Sequence, residues 1–318
     1  MKIPEYKNID EKKNAFVNSY QIITSIKELK EFLNSSESFK NNIFRGVCEA
    51  KYKNFTSAQR KYMENDLTAT KIENLIQKQI ESVRREHKNL IGRYYKSLKI
   101  SPNDFLYLGI AQHYGGISPL LDFTTDIKTA LFFMTDGASF SSEGDDNIGN
   151  YFSLYYVSNN NLQDLNSFFK KVADVVSEKI AQLAGGKKIE IKTNNDIIAL
   201  LADFDHFKEK KYTEPLLIPN NIVTHSIIIN GKNEKLSGVF SISNLNIVAQ
   251  KGCFVFYLPV ENKGLQAFEK PLNCVDIHKS LIPYINEYTK LTKSNIYPDE
   301  YELVKDSCNK ALRNILNK

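Results

Sequence analysis

In the stretch "NNIFRGVCEAKY", residues 41–52, the apolar pair Ile43–Phe44 runs directly into Arg45 and Gly46. A guanidinium is permanently charged and presents a rigid fork of donors that fits a phosphate or carboxylate with two parallel hydrogen bonds. Gly46 beside it lets a ligand or a neighbouring backbone come close. Two roles are open to Arg45: holding an anionic ligand, or pairing with a buried acid such as Asp122 and stapling two strands together. His113 lies in "AQHYGG", next to Tyr114. An imidazole titrates near neutrality and can donate to a hydroxyl or act as general acid or base. Equally, it can be a core histidine that satisfies a backbone carbonyl while Tyr114 packs. Asp122 is either a carboxylate facing a ligand or the counter-ion of Arg45, since a buried acid needs a partner.

These residues must be positioned by local elements that the pattern predicts. A strand ends at Arg45. Before it, Ser25 caps "IKELKEFL", in which Ile26, Leu29, Phe32 and Leu33 recur at helical spacing. Residues 57–98 read as helical, with Ile72, Leu75, Ile76, Gln79, Ile80 and Val83 on one face. "SPNDFLYLGIAQHYGG" is a further helix, begun at Pro102 and stopped by Gly115–Gly116. Pro119 opens a short extended piece, Thr124 or Thr125 caps, and "DIKTALFFM" follows as a buried helix. "NYFSLYYVS" alternates as a strand, as do "PLLIPNN", "THSIIIN", "GCFVFYLP" and "CVDIH" later in the chain. A tail of helix, turn at 297–299 and helix closes the chain. The expected class is α+β: a mixed or antiparallel sheet core with a helical N-terminal part, a helical insert and C-terminal helices. The expected organisation is an N-terminal helical lead at 1–40, a domain at 41–310 with an insert at about 161–211, and a tail at 311–318.

Composition narrows the function classes. Hydrophobic residues make up 42% of 318, including 17 Tyr and 19 Phe, enough for a sizeable core. The 42 basic against 37 acidic residues give a formal charge of +5, too mild and too dispersed for a nucleic-acid signature. No apolar leader or membrane-length run is visible, so a soluble cytoplasmic protein is expected. Cys48, Cys253, Cys274 and Cys308 form no C-x-x-C pair and have no histidine at ligand spacing, so reduced thiols and no metal are expected. P-loop, dinucleotide-fingerprint and nucleophile-elbow motifs are absent.

"IFRG" at 43–46, "AQHYGGISPLLDFTTDIKTALFF" at 111–133 and "VAQKGCFVF" at 248–256 resemble, in order, the blocks of the FRG domain family. Arg60 in "TSAQR" matches an arginine that members carry after the first block, and "IYPDEYEL" at 296–303 resembles their last phrase. The chain departs at Ser118–Pro119, where members usually have Thr-Arg, and at Asn246, where they tend to have Arg. The layout is also similar, more loosely, to arginine-type ADP-ribosyltransferases. That likeness implies that Arg45 holds NAD phosphates or ribose, that Thr124–Thr125 fill a Ser-Thr-Ser-like position, and that a catalytic Glu stands near a late strand. Here that strand offers Gln250, which carries no charge to steady a cationic transition state; Asp122 or Glu261 would have to supply it.

The expectation is therefore a bacterial protein that binds NAD or a related nucleotide. Cleavage of the nicotinamide–ribose bond would suit an ADP-ribosyltransferase or NAD glycohydrolase, in a toxin or antiphage effector with a protein acceptor. Arg45, His113 and Gln250 are the candidate catalytic residues, and Arg45, Gly46, Arg60, Tyr114, Asp122, Thr124 and Thr125 the candidate ligand contacts. The alternatives are a non-catalytic module sensing a ligand or protein partner, and a nucleic-acid-processing protein, against which the charge argues.

Overall fold

The predicted strands "NYFSLYYVS" and "CVDIH" lie side by side in one sheet, although more than a hundred residues separate them in the chain. The computed structural model describes residues 2–16, 19–35, 39–86, 91–97, 103–138, 147–165, 215–219, 222–229, 232–239, 245–257 and 265–298, with single positions between 167 and 178. Most of the expected insert at 161–211, together with Pro102, Glu261, Cys308 and the final expected helix, lies outside the described residues.

The chain begins with α1 (Ile9–Ala15), β1 (Tyr20–Ile23), α2 (Ile26–Asn34) and β2 (Asn42–Val47). The helical stretch after it is three helices, α3 (Ser57–Asn65), α4 (Ala69–Glu86) and α5 (Ile91–Ser97), followed by α6 (Asp104–His113). Then come β3 (Leu120–Thr124), α7 (Ile127–Thr135), β4 (Tyr151–Ser158), β5 (Gln163–Asp164) and β6 (Leu216–Ile218). A hairpin of β7 (Ile222–Ile229) and β8 (Lys232–Val239) precedes α8 (Leu245–Ala249) and β9 (Gly252–Phe256). β10 (Asn273–His278), α9 (Ile282–Thr289) and α10 (Lys293–Ile296) complete the described part. Eight strands form one sheet in the order β1-β10-β4-β2-β3-β9-β6-β5. The pairs at its two edges, β1 with β10 and β5 with β6, are parallel and the rest are antiparallel. The fold is α+β with a mixed sheet. Among the described residues no helix is long and apolar enough to cross a membrane.

Local chemistry explains most boundaries. Ser25 and Glu28 form a reciprocal capping box that starts α2, and its Leu29, Phe32 and Leu33 are buried; the cap contributes about 1 kcal/mol. α3 ends because Asp66 turns into the left-handed region at φ 50°. α6 starts at the cap of Asn103 and stops at Gly115, whose φ of +80° a side chain would strain. The cap of α7 is neither Thr124 nor Thr125 but Asp126, which receives the amide of Lys128 while its own amide donates to Thr124 Oγ1. β8 has no apolar alternation and was not expected; the Asn230–Gly231 pair before it is the sequence signature of a two-residue hairpin connection.

Residues along each strand alternate between two cores. One face of the sheet carries Ile43, Leu121, Phe123, Tyr155, Val157 and Val255. The other face is covered by two separate helical groups. Over β10, β4 and β2 lie α2, α7 and α9, contributing Leu29, Ala130, Leu131, Met134 and Ile285. Over β3, β9 and β6 lie α4, α6 and α8, contributing Ile72, Ile76, Ile80, Leu108 and Ile247. The seam between these groups falls at the β2–β3 boundary.

The N-terminal stretch, read as a helical lead, contributes a strand to the sheet as well as helices. β1 is an edge strand of the sheet, and Lys12 of α1 is fully buried. Its ammonium donates to Ala50 O at 2.8 Å, Ser153 Oγ at 2.6 Å and Asp276 Oδ1 at 2.7 Å, which satisfies all three N–H groups.

Candidate functional site

β2 and β3 pair at a single residue, Phe44 opposite Thr124, and then separate. Had the ladder continued, Arg45 and Gly46 would face Phe123 and Asp122. Instead an open cavity of about 460 Å³ lies there, lined by consecutive residues Phe44–Cys48 and Asp122–Thr124. Consecutive strand residues point to opposite faces, so both can line one space only where the sheet is parted. Gln112 and His113 at the end of α6, Ile247 of α8, Gln250, and Phe133 and Tyr297 close its other sides. The volume is in the range usual for small-molecule sites.

Arg45 is half-buried and bridges the parted strands. Its Nε donates to Asn54 Oδ1 at 3.2 Å, and its Nη1 donates to the backbone carbonyl of Asp122 at 2.9 Å. That second bond satisfies a carbonyl the interrupted ladder leaves open. Arg45 thus meets Asp122, but through the main chain: no carboxylate lies within ion-pair distance of it among the described residues, and Nη2 has no protein acceptor there. Burial lowers the pKa of the guanidinium, and the Asp122 charge opposes that shift. An arginine titrates too high for this to discharge it at neutral pH.

Asp122 is the exposed residue in a strand otherwise buried, and its Oδ2 accepts from Gln112 Nε2 at 3.1 Å. Within the described lining of the cavity it is the one carboxylate. His113 Nε2 lies 2.9 Å from the Asn246 amide nitrogen. With that amide donating, Nε2 accepts and the proton sits on Nδ1. Burial holds the imidazole below its ordinary 6.5, partly offset by Asp122. The unfolded chain therefore binds more protons than the folded one from about pH 6.5 down to the lowered value, and stability falls with pH through that window. The expected result is that wild type loses melting temperature relative to His113→Gln between about pH 7.5 and about pH 5. Parallel melting curves for the two proteins would count against a buried neutral imidazole.

Other predicted residues fall elsewhere. Thr124 lines the cavity, but its hydroxyl donates to the Gln250 carbonyl at 2.6 Å and accepts the Asp126 amide at 3.0 Å, so it holds the strand end together. Thr125 is exposed, lines a different depression beside Asn159 and Leu162, and is not in this cavity. Tyr114 is 77% exposed and outside it, meeting only the edge of His113. Arg60 is also exposed and outside the lining; it donates to Phe55 O at 3.1 Å, and its charge disfavours that of Arg45 from a distance. Gly46 is in the lining, yet what approaches its α-carbon is the Ala130 carbonyl of α7. Gln250 reaches the cavity while its Nε2 donates to the Ile296 carbonyl at 3.1 Å.

The two departures from the family pattern differ in consequence. Ser118 and Pro119 are buried in packing against Ser57, Ala58 and Tyr257, away from the cavity. Asn246 is at the site, bonded to His113. Gln112, Asn54, Phe133 and Tyr297 were not singled out by sequence. Gln112 and Phe133 stand inside the quoted block at 111–133 and Tyr297 inside that at 296–303, which is the signal that could have found them; Asn54 lies in a loop without periodicity. Cys253 forms part of the wall, but burial pushes its thiol up to about 12, so it is a protonated wall residue and not a nucleophile. Among the described residues no group of three or more His, Cys, Asp or Glu side chains could hold a metal.

No curated protein and no solved structure matches the chain. Residues 40–143 match the family model of the FRG domain, while Asn246, Gln250 and Tyr297 come from beyond the matched stretch. The segment that brings Arg45, Gln112, His113 and Asp122 to this cavity is an FRG domain.

Proposed function

We propose that the cavity binds a nucleotide-type anion, with NAD or a close relative as the best candidate. The observation that carries this is Arg45. Asn54 and the Asp122 carbonyl fix its orientation at the cavity wall, no carboxylate lies within ion-pair distance of it among the described residues, and Nη2 has no protein acceptor there. A guanidinium so held takes a phosphate with little further loss of freedom. Asp122 nearby accepts from sugar hydroxyls, and the Nδ1–H of His113 supplies a neutral donor.

Calorimetric titration with NAD and with ADP-ribose tests this. Wild type is expected to bind, and Arg45→Lys, which keeps the charge but loses the fork and its hold on Asn54 and the Asp122 carbonyl, to melt lower yet still fold and to bind at least about tenfold more weakly. No heat with either compound would overturn the reading.

Turnover would need a negative charge where the ribose becomes cationic. Gln250 cannot provide it, and Asp122 can. In that reaction the C1′–nitrogen bond breaks, its electron pair leaves with nicotinamide, and a water or acceptor oxygen adds to C1′ and sheds a proton. Asp122→Asn is then expected to keep binding and lose nicotinamide release. A second reading, binding without turnover, is favoured by the engagement of the Gln250 amide with Ile296 in place of a free acid. Nicotinamide release above the rate of Asp122→Asn would exclude it.

A further inference from the structure

The apolar side of the cavity has a construction that anion binding does not use. Phe133 of α7 and Tyr297, just past α10, meet edge to face at 6.3 Å and 65°. Tyr297 is 43% exposed although both rings line the cavity. A large aromatic residue half in solvent forgoes burial that would otherwise stabilise the fold, yet this one is held firmly. Its amide donates to Lys293 O at 2.7 Å, Lys293 pairs with Asp136 of the α7 end at 3.3 Å, and Gln250 grips the preceding carbonyl, Ile296, at 3.1 Å.

We infer that Tyr297, with Phe133, forms a stacking subsite for a planar aromatic base, and that Gln250 is the positioning residue that sets Tyr297 at the cavity wall. This rests on the pocket reading above and deepens it: the ligand is a base joined to a phosphate, with the phosphate at Arg45 and the ring at Tyr297. A sugar phosphate without a base lacks half of the contacts. Gln250 thereby moves from the candidate catalytic set to the support of the specificity wall. Its amide geometry explains why an acid is not needed there: a carboxylate cannot donate to the Ile296 carbonyl.

Titrating the full chain with adenosine monophosphate and with ribose 5-phosphate tests the subsite. Wild type is expected to prefer the nucleotide by about tenfold to a hundredfold, the range one base–aromatic stack supplies. Tyr297→Ala should erase that preference and leave ribose 5-phosphate affinity unchanged, whereas Tyr297→Phe should keep it. Gln250→Ala should reduce the preference in the same one-sided way. Equal affinity of wild type for the two compounds, or an equal loss for both in Tyr297→Ala, overturns the stacking subsite while leaving the anion pocket standing. Failure of wild type to bind either compound overturns both.

Discussion

Replacing Lys12 with methionine is expected to remove about 3–5 kcal/mol of stability, the usual consequence of breaking a buried ion pair from one side. Lys12 and Asp276 have fully buried side chains 2.7 Å apart. Ser153 is equally enclosed and its Oγ donates to Asp276 Oδ1 at 2.7 Å, while the half-buried Tyr20 donates its OH to Asp276 Oδ2 at 2.7 Å. The Lys12 ammonium also lies 5.1 Å from the ring centre of Tyr155. Without the cation, the carboxylate keeps Ser153 and Tyr20 as donors but loses the ammonium's hydrogen bond and the charge that compensates its removal from water. Total stabilities are of order 5–15 kcal/mol, so the variant should unfold at far lower urea. Asp276→Asn should do comparable damage by stranding the ammonium. The double variant Lys12→Met/Asp276→Leu should regain at least half of the loss, because the penalty lies in the unpaired charge and not in the missing pair. A loss below about 1 kcal/mol in Lys12→Met, read from urea midpoints, would show that this network does not hold the N-terminal segment.

That network also marks where sequence reading runs out. Lys12 and Lys13 are neighbours in "DEKKN"; one is fully buried and the other exposed, and nothing local distinguishes them. Their difference is set by β4 and β10, which lie far away in the chain. Asp276 did carry a signal. In "CVDIH" it stands at the strand position alternating with Val275 and Ile277, between apolar neighbours, and an acid there requires a partner. Elements with strong local rules were legible: the capped helix α2, the strands β4, β9 and β10, and the stop at Gly115. The order of strands was not, since β1 pairs with β10 across some 250 residues and no periodicity encodes that choice.

The site was legible in its parts and not in its architecture. Arg45, His113 and Asp122 were identified from residue type and block, and all three reach one cavity. What creates the cavity is the parting of β2 from β3 after a single pair, a tertiary event to which both strands' sequences are blind. The same event gives the stapling role open to Arg45 an unexpected form. It staples the strands through the Asp122 carbonyl, with no ion pair, and still lines the cavity. Thr124 shows the opposite outcome. Its hydroxyl is taken up by one long-range partner, Gln250 O, and by the local turn at Asp126, two residues on.

Gly46→Ala is expected to be the most damaging glycine-to-alanine change among the described residues. A β-carbon at position 46 would lie 1.9 Å from the Ala130 carbonyl oxygen and 2.8 Å from Met134 Cγ. The first is helix backbone inside α7, with Ala130 itself fully buried, so the strand and the helix must move apart. Overpacking of ordinary cores costs about 1–3 kcal/mol; a clash with fixed backbone belongs at or beyond the top of that range. The movement would also carry Arg45 away from Asp122 and Asn54, so any protein that still folds should bind NAD much more weakly than wild type. Relief by Met134→Ala separates the causes. It removes the flexible contact and leaves the carbonyl, so Gly46→Ala/Met134→Ala should recover little in thermal melting. Full recovery would mean that α7 yields to the strand, and that Gly46 serves the ligand side of the cavity and not the packing of β2 on α7.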